Sequence, residues 1–407
     1  MAKFFYDKKA LKGLTPFPFL GEVKTRNAVI EAAPTTPPQS IYNANILAKS
    51  LHPAVQHCII RKVEDHGDAK SFTLAPDAEK GTKKLAYFRA SQYVSVALNI
   101  DGAPVRKPYT IRSNPGDALG TESSYTLTIK RTNPAYASAW ILENWKEGDA
   151  VEISGPLGDF YYQDLRDAKQ VIAIAGGSGI TPFYSMAAAI VDGIEDFALT
   201  ILYGSRTADG ILLKDEIEAL AEKSGGKVKV VHVLSEEEKE GYEHGFITAE
   251  LIQKYAPEGD YSVFMCGPKA MYVFGEEQCK KLGLPKRRYR MEMSGDYMGA
   301  VNNPDYPKDQ IGKTYTLTVD IRGEKTVIPC KAEESLLWAM ERAGIKAPAH
   351  CRSGECGWCH SRLVKGEVYI PAEADGRRLG DIKFGWIHPC VSFPLSDIEL
   401  NVFPTAE

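Results

Sequence analysis

Cys351, Cys356 and Cys359 stand at C-x4-C-x2-C, and Cys390 follows after 30 intervening residues, inside Ile387-His388-Pro389-Cys390. Four thiolates spaced in this way suit a [2Fe-2S] cluster. A structural zinc site is the competing reading, but zinc modules usually show two short knuckles, whereas here three ligands share one loop and the fourth stands alone. Gly354 and Gly357 inside that loop let the backbone turn tightly and aim N–H groups at sulfur. His350, His360 and His388 adjoin the cysteines; with the thiolate set complete, they are read as surface residues rather than ligands. A cluster of this kind moves single electrons, so the rest of the chain should supply or receive them.

Three further groups could do so. Ala175-Gly176-Gly177-Ser178-Gly179-Ile180-Thr181-Pro182 joins an apolar run to a helical one. Glycines there allow a ligand close to the backbone, and a helix N-terminus offers free N–H groups to a phosphate. Cys266-Gly267-Pro268 ends another apolar run, where ligands of open α/β sheets sit, so Cys266 is expected in the same crevice near a nicotinamide. Arg106-Lys107-Pro108-Tyr109-Thr110 places a ring beside a hydroxyl and two cations: the ring can stack on a flavin, the hydroxyl can bond its N5 edge, and the cations can neutralise phosphate. A pyridine nucleotide delivers two electrons as hydride, while a cluster takes one at a time, so a flavin must stand between them.

The elements that must hold these groups follow from periodicity. Residues 1–52, rich in proline, read as an irregular arm. Over 53–165, short runs such as Val55–Arg61, Tyr93–Leu98 and Tyr125–Lys130 alternate with turn signals, which predicts an antiparallel β-barrel. Over 166–293, Val171–Ala175, Ala198–Tyr203, Lys227–Leu234 and Tyr261–Cys266 are continuous apolar runs, each followed by a helical stretch, which predicts a parallel α/β sheet. A Gly-, Pro- and Asn-rich linker covers 294–312. Residues 313–407 hold a hairpin around Arg322-Gly323, a helix at Glu334–Ala343 and the cysteine loop.

With 407 residues the chain has room for several cores. A net charge of −4 gives no general affinity for nucleic acid, and no apolar run approaches a membrane span. The amino-terminal residues carry charge too early for a signal peptide, so the expected compartment is the cytoplasm. The other cysteines, Cys58, Cys266, Cys279 and Cys330, are scattered without a disulfide framework. Glu236–Glu240 reads as a solvated face.

Taken in order, the motifs resemble the ferredoxin–NADP reductase family. Lys107-Pro108-Tyr109-Thr110 resembles its R-x-Y-[ST] flavin motif, and Gly155-Pro156-Leu157-Gly158-Asp159-Phe160, Gly176–Pro182 and Cys266–Pro268 match its later motifs. With a plant-type ferredoxin at the carboxyl end, the chain is similar to the single-chain reductases of the phthalate dioxygenase reductase and phenylacetyl-CoA epoxidase reductase types. The resemblance implies a flavin barrel, an NAD(P) domain and a β-grasp ferredoxin domain. It implies that Tyr109 stacks on the flavin and Thr110 contacts N5, that Ile129 and Lys130 offer backbone to the ring, and that Ala137 and Ser138 hold flavin phosphate. It further implies that Ser205 and Arg206 meet the adenosine ribose and that Cys266 stands by the nicotinamide. Three positions depart from the family: Lys107 replaces an arginine, with Arg106 beside it; Ser91 replaces a glycine; and Met293 replaces an aromatic, so Met293 or Tyr297 is expected to cover the ring.

The reading that unites these parts is an NAD(P)H-dependent oxidoreductase passing electrons through flavin and [2Fe-2S] to a protein partner, an oxygenase or other metalloenzyme. The Gly155–Phe160 motif favours FAD over FMN; NADH and NADPH are both compatible with the motifs. The competing readings are a stand-alone diaphorase that reduces a small acceptor and a non-catalytic redox sensor.

Overall fold

The computed structural model describes residues 17–32, 42–132, 136–292 and 295–403. The chain divides into two units between Ala48 and Lys49. Where the prolines predict an irregular arm, there are helices: α1 (Phe17–Ala32) and α2 (Asn43–Leu51), the second crossing the division. Pro18 falls in the first turn of α1, where the missing N–H leaves no bond unmade. A proline there starts a helix instead of breaking one. The described side chains of both helices are exposed, including Val29, Ile46 and Leu47.

In the larger unit, β1 (Gln56–Asp65), β2 (Ala69–Pro76), β3 (Tyr93–Ile100), β4 (Ala103–Thr110), α3 (Pro115–Leu119), β5 (Tyr125–Lys130), α4 (Ala137–Asn144) and β6 (Ala150–Ile153) come first. The strands pair antiparallel in the order β4-β3-β6-β1-β2-β5. The two ends of this order meet just beyond β4, where Ile111 bridges Leu127 and the Arg112 N–H donates to the Thr126 carbonyl at 2.8 Å. The sheet thereby closes on a core containing Phe72, Phe88, Ile111, Tyr125 and Leu127. Ser91, at the position where a glycine is usual in the family, has φ of +82°. That backbone costs a side chain about 1–2 kcal/mol, and the buried hydroxyl offsets part of it by donating to the Phe160 carbonyl at 2.8 Å.

Next come β7 (Gln170–Gly176), α5 (Thr181–Val191), β8 (Ala198–Ser205), α6 (Lys214–Lys223), β9 (Val228–Leu234), β10 (Glu243–His244), α7 (Ala249–Tyr255), β11 (Ser262–Cys266), α8 (Lys269–Lys281) and β12 (Tyr289–Met291). All pairs are parallel, in the order β10-β9-β8-β7-β11-β12. Met186 of α5 and Ile217 of α6 pack on one face of the sheet, Ile252 of α7 and Cys279 of α8 on the other. Burial from both sides is why the central strands read as unbroken apolar runs. β10 and β12, two and three residues long, are too short to show a pattern.

The last group is β13 (Thr314–Ile321), β14 (Glu324–Lys331), α9 (Leu336–Arg342), β15 (Ser361–Lys365), β16 (Val368–Tyr369), α10 (Leu379–Phe384), β17 (Trp386–Ile387), β18 (Phe393–Pro394) and β19 (Ile398–Val402). The main sheet runs β14-β13-β19-β15-β17, with β13 and β19 parallel, and α9 buries Leu336, Leu337 and Met340 against it. This is a β-grasp arrangement. The described part of the linker, residues 295–312, is no loose tether. Ala300 and Tyr306 are buried, and the Tyr306 hydroxyl donates to the Ala332 carbonyl at 2.9 Å.

The turn after β7 depends on two glycines for different reasons. Gly177 has φ of +55° with open space beside it, whereas a Cβ on Gly179 would lie 2.0 Å from the Cys266 carbonyl oxygen. Gly177→Ala is expected to cost about 1 kcal/mol, the strain of a left-handed alanine. Gly179→Ala, which must displace backbone, is expected to cost about 3 kcal/mol or more. Thermal unfolding of both variants should show the larger fall in Tm for Gly179→Ala.

Candidate functional site

The carboxyl ends of the parallel strands, the open side of the barrel and the first turn of α9 converge on one cleft of about 1410 Å³. That is larger than the ~300–1,000 Å³ of a single small-ligand pocket and has room for two ligands side by side. On its barrel wall are Lys107, Tyr109 and Thr110 of β4, Ile129 and Lys130 of β5, and Ala137 and Ser138 at the start of α4. The Ser138 hydroxyl accepts the Thr132 N–H at 3.0 Å. On the opposite wall are Gly176, Gly177, Gly179 and Thr181 of the turn into α5, Ser205 and Arg206 after β8, and Cys266, Gly267 and Pro268 after β11. Residues far apart in sequence are therefore neighbours in one crevice.

Two sequence-predicted residues do not line it. Arg106 points its guanidinium to Glu152 at 3.2 Å, and Pro182 is buried at the start of α5, where it shapes the helix entry. Lys107 lines the cleft, but its ammonium is paired with Asp296. The two cations expected to meet phosphate are thus engaged with carboxylates of the chain. Met293 lies outside the described residues. Tyr297 lines the cleft, with its hydroxyl bonded to Lys269, Asn303 and Glu373. Trp338, Tyr136, Ser353 and Asp296 also line the cleft, and no motif announces them; Trp338 and Tyr136 pack with ring centroids 5.3 Å apart. A bulky aromatic in the first turn of the predicted 334–343 helix is the one signal that could have pointed to Trp338.

The amide-rich turn follows from backbone geometry. β7 ends in Gly176, a 3-10 turn covers Gly177–Ile180, and α5 begins at Thr181. The turn lines the crevice at a helix start, a place that favours an anion. Cys266 is buried beside this turn. Burial, reinforced by the charge of Glu292, pushes its thiol well above the usual range, so it stays neutral. It can line a ring but cannot act as a thiolate nucleophile.

The cluster cysteines form two pairs. The Cys356 N–H donates to Cys351 Sγ at 3.3 Å, and the sulfurs of Cys359 and Cys390 are 3.4 Å apart. Cys351, Cys359 and Cys390 are buried and Cys356 is exposed. Among the described residues no three His, Cys, Asp or Glu side chains converge as for a single metal ion. Two thiol pairs instead of one tetrahedron fit a binuclear cluster, with two sulfurs for each iron, and disfavour a structural zinc. The loop supplies N–H groups as expected, the Trp358 N–H reaching Cys356 Sγ at 3.5 Å. The histidines differ from the sequence reading. His350 and His388 are buried, and His388 Nδ1 lies 2.6 Å from the Gly354 carbonyl, while only His360 keeps part of its surface. The partners of His360 and His388, Trp386 and the Gly354 carbonyl, come from the fold and not from the local sequence.

Family models match the chain in three consecutive stretches: an oxidoreductase FAD-binding domain over 59–162, an oxidoreductase NAD-binding domain over 173–276 and a 2Fe-2S iron-sulfur cluster binding domain over 319–395. The chain thus carries, in this order, the FAD-binding, NAD-binding and 2Fe-2S domains of a ferredoxin-reductase-type oxidoreductase. It is a flavin and [2Fe-2S] oxidoreductase dependent on NAD(P)H, with FAD as the flavin. It is 28% identical to the ferredoxin reductase component of 3-ketosteroid-9-alpha-monooxygenase from Rhodococcus rhodochrous, over 82% of this chain and 93% of that one. To a component of 1,2-phenylacetyl-CoA epoxidase from Escherichia coli it is 25% identical, over 84% and 96%. The structure of phthalate dioxygenase reductase has the same fold, with a TM-score of 0.61 and 24% identity over 86% of this chain and 98% of that one.

The reductase's cysteine loop depends on a glycine that no other residue can replace. Gly354 has φ of +86°, and a Cβ there would lie 2.1 Å from the Ala374 carbonyl oxygen. Gly354→Ala should displace the loop and lower iron and sulfide content several-fold while flavin content stays at one per chain. Colorimetric iron and sulfide assays beside extracted flavin would check this.

Proposed function

We propose that this reductase takes hydride from a reduced pyridine nucleotide in the cleft and sends single electrons through the Cys351, Cys356, Cys359 and Cys390 site to a separate oxygenase component in the cytoplasm. The observation that carries this reading is the shared cleft: the flavin strand, the nucleotide turn and residues flanking the cluster loop all line it. When bound, flavin accepts an electron pair and releases it singly, and the cluster carries one electron at a time.

The chain's own residues supply the rest. Tyr109 gives a flat wall for the flavin ring, and Thr110 a hydroxyl for its N5 edge. Ile129 and Lys130 offer backbone groups, and Ala137 and Ser138 hold phosphate at the start of α4. Gly176, Gly177, Gly179 and Thr181 take the nucleotide pyrophosphate at the start of α5, and Pro182 fixes the helix direction behind them. Gly267 and Pro268 keep the backbone beside Cys266 low, so the neutral thiol lines the nicotinamide face. The oxygenase as acceptor is supported by the relatives, which are named as components of monooxygenases and an epoxidase. Among the described residues no helix is long and apolar enough to cross a membrane.

Anaerobic titration of the holoenzyme with NADH and then NADPH should bleach flavin and cluster bands together, with two irons and one flavin per chain. Bleaching of flavin beside an oxidised cluster would end the relay reading in favour of a diaphorase. On this reading Ser205 and Arg206, which line the cleft after β8, meet the adenosine ribose, and the Arg206 guanidinium, 3.5 Å from Glu236, is largely exposed and available to a 2′-phosphate. Loss of one charged contact is worth about 1.5–3 kcal/mol. Arg206→Ala should therefore raise KM for NADPH roughly tenfold or more and leave KM for NADH near the wild-type value, which steady-state kinetics with each donor would show.

A further inference from the structure

Arg352 follows the first cluster cysteine, is 1% exposed and has φ of +63°. A cation with so little access to water needs partners on all sides. Its Nη1 and Nη2 donate to the two carboxylate oxygens of Glu341 at 2.6 and 2.8 Å, Nε donates to Asp296, and Nη1 also reaches the Arg106 carbonyl at 3.1 Å. The second carboxylate oxygen of Asp296 is paired with Lys107. The Asp296 segment is tied to the loop a second time, by the Gly295 N–H donating to the Cys351 carbonyl at 2.9 Å.

Two positive and two negative groups thus balance in one buried quartet drawn from four places: β4, the linker, α9 and the cysteine loop. Burial would raise the Asp296 carboxyl, but Arg352 and Lys107 outweigh it and bring it down to about 2. Burial, with Arg352 nearby, brings Lys107 down to about 8. Buried ion pairs add little net stability, because desolvation offsets attraction; their best-attested use is to fix one arrangement against others. Position says which arrangement. Lys107 is two residues from Tyr109, on the flavin wall, and Arg352 is one residue from Cys351. The path Tyr109, Lys107, Asp296, Arg352, Cys351 therefore joins the two redox sites through two short side-chain contacts.

We propose that Lys107, Asp296, Arg352 and Glu341 form a lock that holds the cysteine loop at one fixed distance from the flavin wall. On this view Lys107, where the family has a phosphate-binding arginine, is a positioning residue, as are Asp296, Arg352 and Glu341. The step they serve moves one electron from reduced flavin, which the nucleotide supplied with two, to the oxidised cluster; the second follows after the cluster has passed the first to the acceptor. The lock rests on the proposed relay.

The test uses Asp296→Asn and Glu341→Gln holoenzymes, both near-isosteric, after their iron, sulfide and flavin contents are matched to wild type. Rapid anaerobic mixing with NADH follows flavin bleaching and cluster bleaching separately, and amide hydrogen exchange reads Gly295 and residues 351–354. Expected are flavin bleaching at the wild-type rate, cluster bleaching slowed by about tenfold to a hundredfold, the scale of a small misplacement, and faster exchange at those amides. Cluster bleaching at the wild-type rate overturns the lock, whether or not exchange changes. Slower bleaching with unchanged exchange overturns the positional account as well. Iron loss from both variants would make the quartet an assembly device and not a spacer. If wild-type cluster fails to bleach at all, the relay reading falls instead, so the two failures are distinguishable.

Discussion

A guanidinium removed from water sets the terms for the centre of this reductase. Arg352 can remain charged at 1% exposure only if carboxylates meet it, and Asp296 and Glu341 do so from a linker and a helix that are otherwise unrelated. Asp296 in turn satisfies Lys107 on β4. Because each charge needs the next, the barrel, the linker and the ferredoxin module cannot be displaced separately without stranding one of them. A single fixed arrangement of three modules follows from one electrostatic requirement.

The sequence was informative wherever a signal is local. The Cys351–Cys359 loop, the Gly176–Thr181 turn and the hairpin around Arg322-Gly323 are each set within a dozen residues, and periodicity separates the antiparallel strands of the barrel from the buried parallel strands of the nucleotide domain. It was uninformative where partners are distant. Asp296 and Arg352 are separated by 56 positions, and Arg352 and Arg106 by 246. No window contains both members, so residues 294–312 read as a tether from their glycine and proline content. The structure shows that part of this segment is a strap whose polar and aromatic side chains find partners on other modules. The buried histidines share this origin, since their surroundings are assembled by tertiary packing. The helices at Phe17–Ala32 and Asn43–Leu51 have another one: proline content weighed more than proline position.

Across the cleft the two walls are chemically unlike, and the difference follows from how each is built. The nucleotide wall is made of strand ends and a helix start, so it presents backbone amides, tight glycines and a neutral thiol. The barrel wall is made mostly of strand faces, with the start of α4 beside them, so it presents chiefly side chains: a ring, hydroxyls and a lysine already neutralised by Asp296. Amides suit the phosphates of a ligand that must come and go, because they hold an anion without long side chains that would have to reorder. A preformed wall of side chains suits a resident group held for many turnovers.

The paired cysteines extend that polarity along the route of the electrons. Cys351 and Cys356 form the pair tied to the linker and the barrel side: the Cys351 carbonyl accepts the Gly295 N–H, and the next residue, Arg352, donates to the Arg106 carbonyl of β4. Cys359 and Cys390 form the pair set into the ferredoxin core. Next along the chain, His360 stacks flat on Trp386 at 4.2 Å, and Trp386 packs on Phe403, which is exposed. These two pairs would hold a binuclear cluster, one pair toward the linker and the barrel and the other in the ferredoxin core, near an aromatic series that reaches Phe403. The two ends of the site are thereby made inequivalent by the chain.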